Sequence, residues 1–366
     1  MKERLKDFEK EVARLKTLDR PGARGITDDA ILKRLSLSAS LNLSIKRLPE
    51  KQQHNFIWLG VLPEDITITP VMMGTLWDMD DVRDASDELR YFGSKALLLP
   101  GVLMNGVPTY RLHDLFHDLA RNLLEAPIQP SRTGDLPGLG ISFNDAHAKF
   151  LEKYQKKTKN GLWHTLPQDG YIQENLVWHL EKANHIEEIH RLLQEETLDR
   201  DKNRINAWYE VRDKLGQVAG YLTDVVRAWE LIEANWDEAS LPSVVGLQCR
   251  YALIIGSINA FAAIYPEKLF FVLIKKNVWT PEEGLFYALR VPEPNQKARR
   301  LIALTDYLPE NLKAKALEEV KATEYSSQDE LNFNHSNSNY IYLIIELLRF
   351  NQLKRKKGKL ALLLKK

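Results

Sequence analysis

The chain has 366 residues, 44% hydrophobic and 28% charged, enough apolar surface to fill cores and enough charge to dissolve them, which excludes a wholly disordered polymer. At roughly 100–200 residues per domain, that length predicts two or three domains. Lys plus Arg at 51 against Asp plus Glu at 50 leave +1, so no global field draws the chain to nucleic acid or to an acidic membrane. The one cysteine, Cys249, has no partner for an intramolecular disulfide. The opening MKERLKDFEKEVARLK is charged where a signal peptide needs an apolar stretch, so a cytoplasmic location is expected. The longest apolar stretches, such as Tyr340 to Phe350, fall far short of the ~20 residues that span a bilayer, so neither a transmembrane protein nor a membrane partner is expected.

In chain order, a charged helix is expected over Lys2 to Leu18, then a turn at Asp19-Arg20-Pro21-Gly22 and a second helix capped at Thr27-Asp28-Asp29. Leu37, Leu41, Leu43, Ile45 and Leu48 form one helical stripe broken by Pro49. Phe56, Trp58, Leu59 and Leu62 form the next, closed by Pro63. Thr69-Pro70 reads as an N-cap with proline in the first turn of a third helix, and a fourth runs from about Met79 to Tyr91. Lys95 to Leu99 and Pro108 to Leu112 are extended runs around a loop containing Gly101, Asn105 and Gly106, which predicts a hairpin. Helices followed by a hairpin make a winged helix, expected at residues 36–126.

Residues 127–145 carry the Pro, Gly and Ser content of a linker. A helical domain is expected at 146–264, with helices over Ala146 to Lys157, Tyr171 to Lys182, Ile186 to Glu195, Ala207 to Leu215, Val218 to Glu233 and Val244 to Ala263. Short helices bounded by prolines follow at 265–330, a rhythm of solenoid-like, HEAT- or tetratricopeptide-like repeats. Six of eight tryptophans fall in this helical half, where packing explains them better than a ligand platform. Residues 331–366 form an atypical tail with seven Lys or Arg and no acid from Asn351 onward, leaving −6 for the body. A frayed, solvated end explains it better than a contact with nucleic acid or lipid. The fold class expected is therefore mainly α: a winged helix with one short hairpin, then a solenoid-like helical domain.

The common catalytic signatures are missing: no G-x-x-x-x-G-K-S/T phosphate loop, no G-x-G-x-x-G, no C-x-x-C and no G-x-S-x-G. His113 and His117, at i and i+4, mimic a zinc motif. The residue after the first histidine is Asp rather than the Glu general base, and no third ligand follows, so no metal is expected there. An apolar helical stripe, Leu112, Leu115, Phe116, Leu119 and Leu123, accounts better for both. His179, His185 and His190 stand six and five apart, do not share a helix face, and read as packing or surface residues.

Over Leu41 to Leu124 the sequence resembles the winged-helix region of NB-ARC, STAND-class signalling ATPases. The resemblance rests on Leu43-Ser44-Ile45-Lys46-Arg47-Leu48-Pro49-Glu50, on Phe56 to Asp65, on Leu76-Trp77, and on Tyr110-Arg111-Leu112-His113-Asp114-Leu115. The last of these resembles the family's Met-His-Asp motif, with Leu112 in place of Met. His179 to Ala183 and Trp229 to Leu231 look like the helical region that follows in bacterial members. The resemblance implies that His113 senses the β-phosphate of ADP and that Asp114 supports it by capping the helix. It also implies that residues 1–35 end an ARC1-like helical segment. The nucleotide-binding domain that precedes these elements in the family is not recognised in this chain. The resemblance then implies no enzyme activity, no tight cofactor of the chain's own, and ADP or ATP only beside a nucleotide-binding domain held elsewhere. Other proteins would be partners through the helical repeats. The alternative, a winged-helix DNA-binding regulator, meets eight bases against twelve acids over residues 36–126; phosphate contact wants the reverse, so no nucleic acid is expected.

Overall fold

The computed structural model describes residues 6–13, 39–104, 106–130, 132–198, 202–234, 237, 240–276 and 278–330. The expected helix after Thr27 and the basic tail at 331–366 lie outside these residues, as does Trp236. Among the described residues the chain is mainly helical with two small antiparallel hairpins. It divides into two compact units, Met1–Ile255 and Gly256–Lys366.

In the first unit, residues 6–13 (α1) and 39–46 (α2) are helical, and Lys46 Nζ meets the Glu11 carboxylate at 2.8 Å between them. Next come α3 (Glu50–Trp58), a 3-10 turn (Leu59–Val61), α4 (Pro70–Leu76) and α5 (Val82–Ser94). The starts of α4 and α5 have local causes. Thr69 accepts from Met72 N–H with Pro70 in the first turn, and Asp81 accepts from Arg83 N–H, which starts α5 three residues beyond Met79. Phe56 and Phe92 are fully buried and meet edge to face at 6.4 Å, while Trp77 donates its indole N–H to the Asn55 carbonyl at 2.9 Å.

The expected hairpin forms as β1 (Leu98–Pro100) and β2 (Tyr110–Leu112), with Leu98 opposite Leu112. Ile68 adds a bridge to Tyr110 on the other side. Strand β2 leads directly into α6 (Asp114–Glu125), which lies against the 3-10 turn. Gly60 permits that approach: a Cβ there would stand 2.4 Å from the Arg121 nitrogen. The segment after α6 folds back on it. Leu139 and Ile141 donate to the Leu123 and Leu124 carbonyls at 2.9 and 3.0 Å, and Gly140 donates to the Ala126 carbonyl at 2.9 Å, so the free carbonyls ending the helix find partners.

The helical half begins with α7 (Phe143–Gln155), α8 (Ile172–Lys182) and α9 (Ile186–Leu192). Where the sequence reading ran α9 on to Glu195, the chain instead turns into a second hairpin, β3 (Glu196–Leu198) with β4 (Arg204–Asn206). Asn206 stitches it by donating to the Leu193 and Glu195 carbonyls and then caps α10 (Ala207–Lys214) by accepting from Tyr209 N–H. Helices α11 (Val218–Ala234) and α12 (Leu241–Ile264) follow. Helix α12 corrects the reading of apolar stretches. Its residues Leu241–Ala260 are long and apolar enough, by length and composition, to cross a membrane, and little of that stretch is buried. Ser243, Gln248, Arg250 and Ser257 interrupt the apolar run without making the helix polar.

The second unit stacks α13 (Glu267–Lys275), α14 (Pro281–Leu289), α15 (Pro294–Leu304) and α16 (Glu310–Glu330) on successive neighbours. A capping box of Thr280 and Glu283 with Pro281 starts α14. Trp279 stacks on Tyr287 at 4.6 Å, and the buried Arg300 donates to the Ala262 and Tyr265 carbonyls.

Two glycine replacements separate close approach from flexibility. Gly60→Ala drives a methyl into the backbone of α6 and is expected to cost ~1–3 kcal/mol, read as a lower urea midpoint. Gly246→Ala, in α12 with open space around its Cβ position, is expected to hold or raise the midpoint by up to ~1 kcal/mol.

Candidate functional site

Strand β2 delivers Leu112, His113 and Asp114 to the start of α6. Leu112 is buried against Leu98, and its backbone pairing fixes where the next two residues emerge. His113 is the N-cap: its Nδ1 accepts from Leu115 N–H at 3.3 Å. The sequence reading gave capping to Asp114. The structure gives it to His113 and leaves Asp114 in the first turn, where a carboxylate complements the helix dipole. Both side chains are exposed. An accepting Nδ1 leaves the ring proton on Nε2, so His113 presents an N–H donor outward at the positive end of a helix.

One turn on, His117 does the opposite. It is 4% exposed, and its Nε2 lies 2.8 Å from the Leu62 carbonyl oxygen, to which it donates. The lone pair is therefore on Nδ1, which is buried and has no hydrogen-bond partner. The Leu62 carbonyl sits where it does because Gly60 brings the preceding turn onto α6. Glu64 and Asp118 bring carboxylate oxygens to this ring, and ligand atoms of the three residues all lie within 4.8 Å of one another. The sequence-adjacent pair His113 and His117, which only mimics a zinc motif, is not what converges. His113 points to solvent as a cap, and the residues joining His117 come from the Pro63 turn and from the next position of α6. A small cleft beside His117 is lined by Leu62, Glu64, Asp65, Leu112 and Asp114.

A second polar cluster lies in the α7–α8 pair. His147 Nδ1 and His179 Nδ1 are 2.8 Å apart, and His179 Nε2 is 2.6 Å from the Tyr171 hydroxyl. All three residues are buried. Burial, then the Lys182 and Arg121 charges, push His147 down to about 3, and burial pushes His179 well below the usual imidazole range. Of the two readings, packing or surface, His179 is a packing residue, and it is paired with His147 and Tyr171. Sequence spacing missed it because its partner, His147, is on another helix 32 residues away. The adjoining core holds Arg212 in a buried set: it donates to the Gln173 carbonyl at 2.7 Å and lies 3.5 Å from Asp224. Gly220 leaves room for that guanidinium, since a Cβ would overlap it.

The described residues form a mainly helical architecture with inward-facing polar clusters and an N-capping histidine after the first hairpin. Residues 143–210 match the protein-family model described as the APAF-1 helical domain, consistent with the C-terminal region of an NB-ARC or STAND-related protein. The search of curated proteins returns no match.

The imidazole pair gives acid sensitivity a sign. Both rings have depressed values when folded, so the unfolded chain binds more protons below about pH 6.5, and stability present above that pH is lost as it falls toward 3. Each ring adds a slope of up to ~1.4 kcal/mol per pH unit. Urea midpoints from pH 7 to pH 4 are expected to fall steeply in the wild type and less steeply in His147→Gln.

Proposed function

We propose that the chain is the regulatory and protein-interaction portion of an NB-ARC-type STAND ATPase, working in the cytoplasm. In this reading residues 36–126 are a winged-helix domain, and β1 and β2 are its wing. His113 reads the phosphate of ADP or ATP held by a nucleotide-binding domain on another segment or another chain. One observation carries the proposal: His113 is exposed at the head of α6 with Nδ1 engaged by its own helix, which leaves Nε2–H as a directional donor for an anionic oxygen. The APAF-1 helical-domain match beginning at residue 143, C-terminal to residues 36–126, supports the same assignment. Leu112 in the sheet and Leu115 N–H on the ring fix the imidazole, so a phosphate meets a donor already oriented. Loss of the γ-phosphate or its gain would then be felt as a change in how α6 and its attached helices are held.

The helical stack α13–α16 supports a solenoid-like protein-binding role, because each helix buries its apolar face on the next and successive repeats build one continuous surface. The hairpin tip favours proteins over DNA. Residues 100–108 carry no Lys or Arg, and Val102 and Leu103 are 73% and 70% exposed; apolar groups in the wing position offer nothing to a phosphate backbone.

The chain alone is expected to bind ADP weakly or not at all by calorimetry; tight stoichiometric uptake would overturn the assignment. Joined to an NB-ARC nucleotide-binding domain, in trans or within a longer parent, it is expected to associate more tightly in the presence of ADP than of a non-hydrolysable ATP analogue. His113→Ala should erase that preference, and an unchanged preference would remove His113 from the role.

A further inference from the structure

We infer that Glu64, His117 and Asp118 form a binding site for a divalent transition-metal ion of borderline softness, zinc foremost. This site is separate from the proposed nucleotide sensor and does not depend on it. The key observation is the state of His117. A buried imidazole normally finds partners for both nitrogens, yet here Nε2–H is committed to the Leu62 carbonyl and Nδ1 is sealed from solvent with nothing bonded to it. That arrangement is the one a metal-binding histidine takes, because donation from one ring nitrogen to a backbone carbonyl fixes the tautomer and aims the other lone pair at the ion.

The neighbouring carboxylates complete the case. Glu64 and Asp118 are exposed, each with an oxygen within 4.8 Å of a ring nitrogen of His117 and of the other's, and neither makes a hydrogen bond or ion pair among the described residues. Asp65 and Asp114 line a cleft with Glu64 and His117, and no Lys or Arg does. Two unpaired carboxylates with more negative charge at the rim repel one another, and a divalent cation removes that repulsion. One nitrogen and two carboxylate oxygens suit zinc, with manganese or nickel next; calcium and magnesium prefer oxygen alone. Three protein ligands leave a fourth tetrahedral position open to water.

The backbone is prepared for it. Asp65 sits in the left-handed region at φ 56°, which turns the chain sharply after Glu64 and brings its carboxylate back toward α6. Ion binding would clamp this turn to α6 one helical turn below His113. Each side chain comes from an element already fixed by Gly60, so ligation needs side-chain movement and no refolding.

The test uses the full chain after chelator treatment and dialysis, titrated with Zn²⁺ in a calorimeter, with circular dichroism to confirm folding. One saturable site per chain is expected. Glu64→Gln and Asp118→Asn change exposed residues and should keep the fold while weakening zinc at least about tenfold each; His117→Gln should do the same or more. His113→Gln is expected to leave zinc affinity unchanged, which distinguishes this site from the sensor and from the sequence-adjacent histidine pair. Zinc binding is also expected to raise the thermal midpoint of the wild type but not of Asp118→Asn. Absence of a saturable site, or equal affinity in wild type, Glu64→Gln and Asp118→Asn, would overturn the inference.

Discussion

The contact between Gly60 and the backbone of α6 sets the geometry of everything near the hairpin. Two backbone segments approach so closely that a single carbon at residue 60 would overlap the chain at Arg121. Such packing fixes the 3-10 turn and α6 as one body, which in turn holds the Leu62 carbonyl over His117 and the Glu64 turn beside Asp118. The hairpin then places His113 at the head of the same helix. A helix whose middle is pinned has little freedom at its first turn, so the orientation of the exposed imidazole is inherited from a buried contact rather than set by solvent.

Much of this arrangement was legible in the sequence because local signals cause it. Thr69-Pro70 starts α4 through a hydroxyl cap and a fixed φ. The two extended runs on either side of the Gly-containing loop became β1 and β2 in antiparallel register. Apolar stripes at helical spacing located α7 to α11 to within a few residues, while the stripe read from Phe56 to Leu62 is the end of α3 (Glu50–Trp58) and the 3-10 turn after it. Where the reading failed, the controlling interaction joined residues far apart. The second hairpin depends on Asn206 reaching back to Leu193 and Glu195, and its strands show no alternation strong enough to announce it. Helix α12 was located at Val244 to Ala263, but its scattered polar residues concealed that Leu241–Ala260 is long and apolar enough to cross a membrane.

The candidate site divides in the same way. His113 and Asp114 could be found from the Leu-His-Asp motif, since the motif is contiguous. Which of them caps the helix could not, because both residue types accept hydrogen bonds and only the φ and ψ of residue 113 decide the matter. The convergence of Glu64 with Asp118 spans over fifty positions and has no contiguous signature. The same holds for His147 with His179, where α7 and α8 must pack before the two rings can share a proton. Contiguous chemistry is visible in a sequence; chemistry assembled by packing is visible only afterwards.

The segment that composition marks as a tether is bonded, through Leu139, Gly140 and Ile141, to the carbonyls at the end of α6, and Gly138 lies so close to the Ala126 carbonyl that no larger residue fits without displacement. Pulling it away would strand several carbonyl groups without donors. The join between α6 and α7 thus behaves as a stiff elbow and not a swivel. A push delivered at the first turn of α6 would reach α7 as torque with little slack, and any bending in this unit must be sought at some other joint.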